Sequence, residues 1–239
     1  MVESEAQMEA IIFDLDGVLV DVRFSYLATI KRVAEFFLKE TVPLEKIQSF
    51  RNRGGLNNDW DLTLAILREE NYPLDRETVI SIFQTIYRGR NFDGLIQQER
   101  WLLKKRVLNQ LHKNYRLAVV TGRPRDEAEF ALCRFKAKEY FQCVVTRDDL
   151  PPELSKPHPA GLVKALTSLH VSHAWYVGDT VDDIQMAKAA RIPAIGVVGT
   201  LSYPELQARI LSRQGAWQVI YDVNSIGEVL QCKEQGKPD

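Results

Sequence analysis

The chain has 239 residues, 45% of them hydrophobic and 26% charged, with a formal net charge of -1. That balance suits one α/β domain with a sizeable insertion, or two modest domains, and it lacks the electrostatic footprint of a protein that binds nucleic acid or an anionic membrane. Three cysteines without a Cys-x-x-Cys pair argue against a disulfide framework or zinc site and for a reducing cytosol, no apolar run is long enough to span a bilayer, and the glutamate-bearing N-terminus has no leader pattern.

Residues 11–13, Ile-Ile-Phe, read as a strand buried on both faces. The run stops at Asp14, and Asp16-Gly17 follows. One acid therefore sits at the strand tip and another on the turn beyond it, with a glycine that lets the backbone approach a ligand closely. The spacing of Phe24, Leu27, Ile30, Val33, Ala34 and Phe37 predicts a helix to about residue 40. Pro43 suits the first turn of a short helix to residue 50, and Arg51-Asn52-Arg53-Gly54-Gly55 reads as a loop. Asn57 or Asn58 would cap a helix to about residue 70, and Asp75 another to about residue 89. No strand is expected between residues 22 and 95, so this stretch is a helical insertion.

Strand and helix then alternate. Helix is expected over 97–113, strand over 117–120, helix over 124–136 and strand over 143–145. A polar loop with four prolines leads to a helix over 160–169, a strand over 175–177 and a helix over 182–191. Strand over 194–198, helix over 204–214, strand over 217–220 and a short helix over 225–230 complete the pattern, with 231–239 frayed. Repeated βα units argue for a mainly parallel, three-layer α/β sheet. The expected division is a core of residues 1–21 and 96–239 around an inserted unit of 22–95. Phe36, Phe37, Phe83, Trp60 and Trp101 are expected in packing rather than in a cofactor box.

In such sheets ligands sit beyond the carboxyl ends of the strands. Three strands here end in a reactive side chain: Asp14, Thr121 and Asp179. Accidental loop polarity explains any one of these and explains the set poorly. A fourth element is Lys156, a cation on a loop stiffened by Pro157 and Pro159.

In this order the motifs resemble the haloacid dehalogenase-like superfamily of phosphohydrolases. Asp14-x-Asp16-Gly17-Val18 matches the first family motif and Thr121-Gly122 the second. Lys156-Pro157-x-Pro159 matches the third, and Gly178-Asp179-Thr180-x-x-Asp183 the fourth. The resemblance implies a Rossmann-like core with an inserted helical cap of the C1 type, and it points to the phosphoglycolate-phosphatase-like branch. It implies a phosphatase with Asp14 as nucleophile, forming an aspartyl-phosphate, and Asp16 as acid and then base. Thr121 and Gly122 would hydrogen-bond the transferring group and Lys156 would neutralise it. Asp14, the Asp16 carbonyl and Asp179, with Asp183, would hold Mg²⁺; without a cation these acids would crowd like charges around an anionic substrate. Both Asp182 and Asp183 lie where a helix start faces the site; the family spacing favours Asp183, leaving Asp182 as a cap.

Two departures bear on substrate. An acid at Asp16 speaks against carbon–halogen hydrolysis. Arg123, where close relatives carry smaller or polar residues, is a candidate either for substrate contact or for packing by the helix start. In the insertion, Arg53 and Asn58, in a polar cluster with Arg51, Asn52 and Asn57 around two glycines, are candidates for binding the leaving group of a small phosphorylated metabolite. The rivals are a phosphomutase of the same superfamily and a non-catalytic binding protein that keeps the fold.

Overall fold

A computed structural model describes residues 9–56, 58–199 and 203–235. The N-terminal leader reading, Asn57 as an alternative cap and the tail beyond 235 lie outside the described residues. In chain order the elements are β1 (Ala10–Phe13), β2 (Val20–Asp21), α1 (Tyr26–Leu38), α2 (Leu44–Asn52), α3 (Asp59–Glu69) and α4 (Arg76–Tyr87). Then come β3 (Arg100–Trp101), α5 (Lys105–Asn114), β4 (Arg116–Val120), α6 (Arg125–Arg134), β5 (Cys143–Val145) and α7 (Ala160–Leu169). The last are β6 (Ala174–Gly178), α8 (Val181–Ala189), β7 (Ala194–Val197), α9 (Pro204–Gln214), β8 (Gln218–Ile220) and α10 (Ile226–Gln235). The chain divides into two compact units. The first runs to residue 19, then takes 101–179 and 183 onwards; the second comprises 20–100 and 180–182.

The first unit is built on a six-stranded sheet in the order β5-β4-β1-β6-β7-β8. Every pairing in it is parallel, with Ile12 level with Ala118 on one side and Tyr176 on the other. The parallel α/β architecture expected from the alternating pattern is present. Why β1 lies at the centre follows from its composition: Ala10, Ile11, Ile12 and Phe13 are all fully buried. Successive strand residues face opposite sides. Ala10 and Ile12 pack in a cluster with Leu162, Ala165 and Leu169 of α7 and Ile184 and Met186 of α8, while Ile11 and Phe13 point to the other side. Each of the larger side chains here, Ile, Leu, Met or Phe, contributes about 1.5–3 kcal/mol on burial. Strand order departs from β1 in both directions, so the crevice beyond its carboxyl end is a topological switch point.

The second unit is mainly helical. A stripe of Tyr26, Leu27, Ile30, Val33 and Ala34 buries one face of α1. Asn58 caps α3 by accepting from Trp60 N–H at 3.0 Å, and Asp75 caps α4 by accepting from Thr78 N–H at 2.8 Å. Tyr26 and Tyr87 stack with ring centroids 4.0 Å apart. Beside them the buried Glu99 carboxylate accepts from the Ser25 and Tyr87 hydroxyls at 3.0 and 3.1 Å.

Three expectations need correction. The helix expected over 97–113 is instead a 3₁₀ turn at Leu95–Gln98, the short strand β3 and a helix that starts only at Lys105. Arg100–Trp101 form a two-stranded sheet with Val20–Asp21, and Leu102 N–H donates to the Leu19 carbonyl at 2.9 Å; these bonds hold the backbone extended where local propensity favours helix. The last helix continues to Gln235 rather than stopping at 230. Phe36 is 59% exposed rather than packed, whereas Phe83 is fully buried and Trp101 packs on Phe135 at 5.6 Å between centroids.

Candidate active site at the strand tips

Asp14 leaves β1 directly, its N–H bonded to the Val177 carbonyl of β6 at 2.8 Å. Thr121 leaves β4 with its N–H on the Val145 carbonyl at 2.9 Å, and Asp179 follows β6. Asp14 and Thr121 are thus set at strand ends by the sheet's own hydrogen bonding, Asp179 follows its strand directly, and all three are buried. Lys156 reaches in from the loop before α7. Its Nζ donates to Asp14 Oδ1 at 2.7 Å and to Asp183 Oδ1 at 2.8 Å, with the side chain only 5% exposed.

Asp183, on the first turn of α8, is held from three sides. Its Oδ1 also accepts from the Tyr176 hydroxyl at 2.7 Å, and its Oδ2 accepts from Asp179 N–H at 3.2 Å. Carboxylate oxygens of Asp14, Asp179 and Asp183 lie within 4.8 Å of one another. Asp183, not Asp182, is therefore the residue of the pair brought into the cluster. Asp182 belongs to the second unit, where it accepts from Gly55 N–H at 2.7 Å.

Two glycines make room for these acids. A Cβ on Gly17, whose φ is +72°, would meet Asp179 Oδ2 at 2.1 Å, and a Cβ on Gly178 would meet Asp183 Cβ at 2.4 Å. Neither contact is sterically tolerable, so the close approach of the acids depends on both positions lacking a side chain.

The electrostatics follow from burial. Desolvation pushes Asp14 up, Lys156 pulls it down, and Asp183 and Asp16 push it up again; the result is about 7 against an ordinary 3.8. Burial works against the charge on Lys156, but the Asp14 and Asp183 carboxylates outweigh it and hold the ammonium protonated. Burial and then the Asp183 charge raise Tyr176 well above its ordinary value, keeping it a hydrogen-bond donor. One ammonium thus faces more carboxylate charge than it neutralises. An oxygen-only donor set with surplus negative charge fits a hard divalent cation such as Mg²⁺.

Asp16 and Arg123 form an ion pair. Asp16 Oδ1 accepts from Arg123 Nε at 2.8 Å and from Nη2 at 2.5 Å, and the arginine side chain is 0% exposed. Arg123, expected at the substrate, is engaged with Asp16. Its backbone N–H donates to Thr121 Oγ1 at 3.2 Å across Gly122, which rigidifies the second motif. Sequence reasoning missed Tyr176 and Gln207. The signal for Tyr176 was a hydroxyl on an otherwise apolar strand, three residues before Asp179. Gln207, buried on α9 with Nε2 donating to the Asp179 carbonyl at 3.3 Å, left no signal.

The other two predicted residues, Arg53 and Asn58, belong to the second unit. Arg53 is 55% exposed, bonds Glu69 at 3.2 Å and lies 4.0 Å over the Phe50 ring; Asn58 caps α3. Between them Gly54 and Gly55 have φ of +77° and +74°.

The family model described as haloacid dehalogenase-like hydrolase matches residues 11–197. The chain belongs to the haloacid dehalogenase-like hydrolases. Among members and relatives, this hydrolase is 33% identical over 240 residues to a Phytophthora nicotianae protein named imidazoleglycerol-phosphate dehydratase. That match covers 93% of this chain but only 52% of the relative, so the hydrolase spans about half its length. It is 24% identical over 233 residues to phosphoglycolate phosphatase 1 of Pseudomonas aeruginosa, covering 94% of this chain and 79% of that one. Its fold is also that of a Thermotoga maritima protein assigned as β-phosphoglucomutase, with a TM-score of 0.67 and 26% identity over 94% of this chain and 99% of the other. No described helix of the hydrolase is long and apolar enough to cross a membrane.

Proposed function

We propose that this hydrolase is a Mg²⁺-dependent cytosolic phosphatase acting on a small phosphomonoester through an aspartyl-phosphate on Asp14. The observation that carries the reading is the buried bridge from Lys156 to Asp14 and Asp183, beside Asp179 at the tips of adjacent parallel strands. It supplies what phosphoryl transfer asks for: a carboxylate nucleophile held in one orientation and a fixed cation against the phosphoryl oxygens.

In this reading an Asp14 oxygen attacks phosphorus as the P–O bond to the leaving alcohol breaks. Asp16 gives its proton to that alcohol. Asp16 then takes a proton from water, whose oxygen attacks the phosphorus of the aspartyl-phosphate, freeing inorganic phosphate and the Asp14 carboxylate. Thr121 Oγ and the Gly122 N–H donate to the transferring group, and Lys156 offsets its charge. Asp14, Asp179, the Asp16 carbonyl and Asp183 would hold Mg²⁺, which when bound supplies charge neutralisation at the phosphoryl oxygens. Asp183 acts mainly by orienting Lys156 and Asp179, since it bonds to both.

The inserted stretch from about residue 22 to 95, which falls within the second unit, serves as the cap that supplies specificity. Arg53 and Asn58 are proposed to meet the leaving group. An exposed ion pair such as Arg53–Glu69 is worth about 0–1 kcal/mol, so the guanidinium exchanges Glu69 for an anionic substrate at little cost. The name of the Pseudomonas relative supports a small anionic phosphomonoester.

A phosphate-release screen over a metabolite panel, with and without Mg²⁺, tests the reading. Release from at least one ester, lost on chelation, is expected; none from any ester overturns it. Likeness to the Thermotoga protein favours a second reading, a phosphomutase. That reading requires activation by a sugar bisphosphate and little phosphate released to water.

A further inference from the structure

We propose that Arg123 is a positioning residue for the proton-transferring carboxylate. It acts through Asp16 rather than on the substrate. The inference rests on the reading of Asp16 as the acid and base of the reaction.

A guanidinium is rarely buried completely, and this one is among the largest fully buried side chains of the chain. Exclusion from water makes a lone charge costly unless it is paired with a fixed partner, and Asp16 is such a partner here. Nε and Nη2 both converge on Oδ1, a two-point grip that fixes the direction of the carboxylate as well as its place. Proton transfer to and from the reacting oxygens then falls to Oδ2. Asp16 itself sits on the turn after β1, its side chain 24% exposed, where little packing would hold it.

The arginine is anchored from its own side. Its N–H is bonded to Thr121 Oγ1, and its carbonyl accepts from Arg147 N–H at 3.0 Å. The second motif and the acid of the first are therefore one rigid assembly. Lysine cannot replace this grip, because it presents a single rotatable point charge in place of a planar fork.

The test is a double-mutant cycle on p-nitrophenyl phosphate with Mg²⁺, comparing wild type, Arg123→Lys, Asp16→Asn and the double variant. Melting curves first establish that each is folded. Arg123→Lys is expected to lower kcat by about tenfold or more. KM and the inhibition constant for inorganic phosphate should stay within about twofold. In the Asp16→Asn background the same change should lower the residual kcat by less than about twofold, since the group it positions no longer transfers protons. Tenfold losses that multiply in both backgrounds, a rise in KM or in the phosphate inhibition constant, or an Arg123→Lys enzyme equal to wild type would each overturn the assignment. Wild-type enzyme that releases no phosphate from this or any other ester would instead overturn the phosphatase reading.

Discussion

Substituting Gly17 by alanine perturbs the point where the turn after β1 meets the fourth motif. The cost has two parts. At φ +72° a Cβ is strained by about 1–2 kcal/mol. The new carbon would also lie 2.1 Å from Asp179 Oδ2 and 2.6 Å from its Cγ, so that carboxylate has to leave its rotamer, at about 0.5–1.5 kcal/mol. Together these come to about 1.5–3.5 kcal/mol, or a fall in Tm of roughly 3–14 °C for a chain of this length. Gly55→Ala is the control. Its φ is +74° and nothing lies within 4 Å of its added Cβ, so only the backbone part applies. Thermal unfolding by circular dichroism measures both variants, and a Mg²⁺ titration of phosphate release reads the position of Asp179. Gly17→Ala should raise the Mg²⁺ midpoint about tenfold or more, and Gly55→Ala should leave it within about twofold. A Gly17→Ala enzyme with the Tm loss and Mg²⁺ midpoint of Gly55→Ala would show that Asp179 does not depend on this close approach.

Asp14→Asn should leave the fold intact and abolish turnover; a purified variant keeping a tenth of wild-type kcat, about 1.4 kcal/mol of barrier, would rule out covalent catalysis at this residue. Because the folded value for Asp14 is raised to about 7 from 3.8, its contribution to stability without metal is full below pH 3.8 and is lost as pH rises through 7. Binding of Mg²⁺ requires the ionised carboxylates, so the Tm gain on adding Mg²⁺ should be larger at pH 8 than at pH 6, and an equal or reversed gain in melting scans would contradict the site. Tyr176→Phe removes a hydrogen bond to a buried carboxylate and should cost about 1.5–3 kcal/mol, checked by urea unfolding; a loss below about 0.5 kcal/mol would mean the bond is replaced. Arg53→Ala should raise KM for the best metabolite about tenfold or more and leave an aryl phosphate nearly unchanged; equal losses on both would return Arg53 to a structural role.

Local composition was enough to read the sheet. Short apolar runs that end at or just before Asp14, Thr121 or Asp179 and alternate with helical stretches read as strands ending at a polar rim, and a parallel sheet puts such rims on one edge. Helices with clear caps were legible for the same reason: Asn58 and Asp75 sit where the first free N–H groups need an acceptor. The short strand at Arg100–Trp101 was not, because two residues carry no periodicity and their extended backbone is imposed by Val20–Asp21, some eighty positions away.

The candidate site divides along the same line. Residue type and order pointed to Asp14 and Asp179, each one residue past a strand end, to Asp183 on the first turn of the helix after β6, and to Lys156 on a stiff loop. What each side chain bonds to was decided only by the tertiary structure. Asp182 and Asp183 are adjacent in sequence and equal in charge. The helical rotation between them puts Asp183 beneath Lys156 and Tyr176 and turns Asp182 to Gly55. Arg123 reads as a substrate ligand from its place after Thr121-Gly122, yet its guanidinium is buried against Asp16, 107 positions earlier. A side chain with that reach has several partners within range, and which one it takes depends on what the folded chain excludes from water.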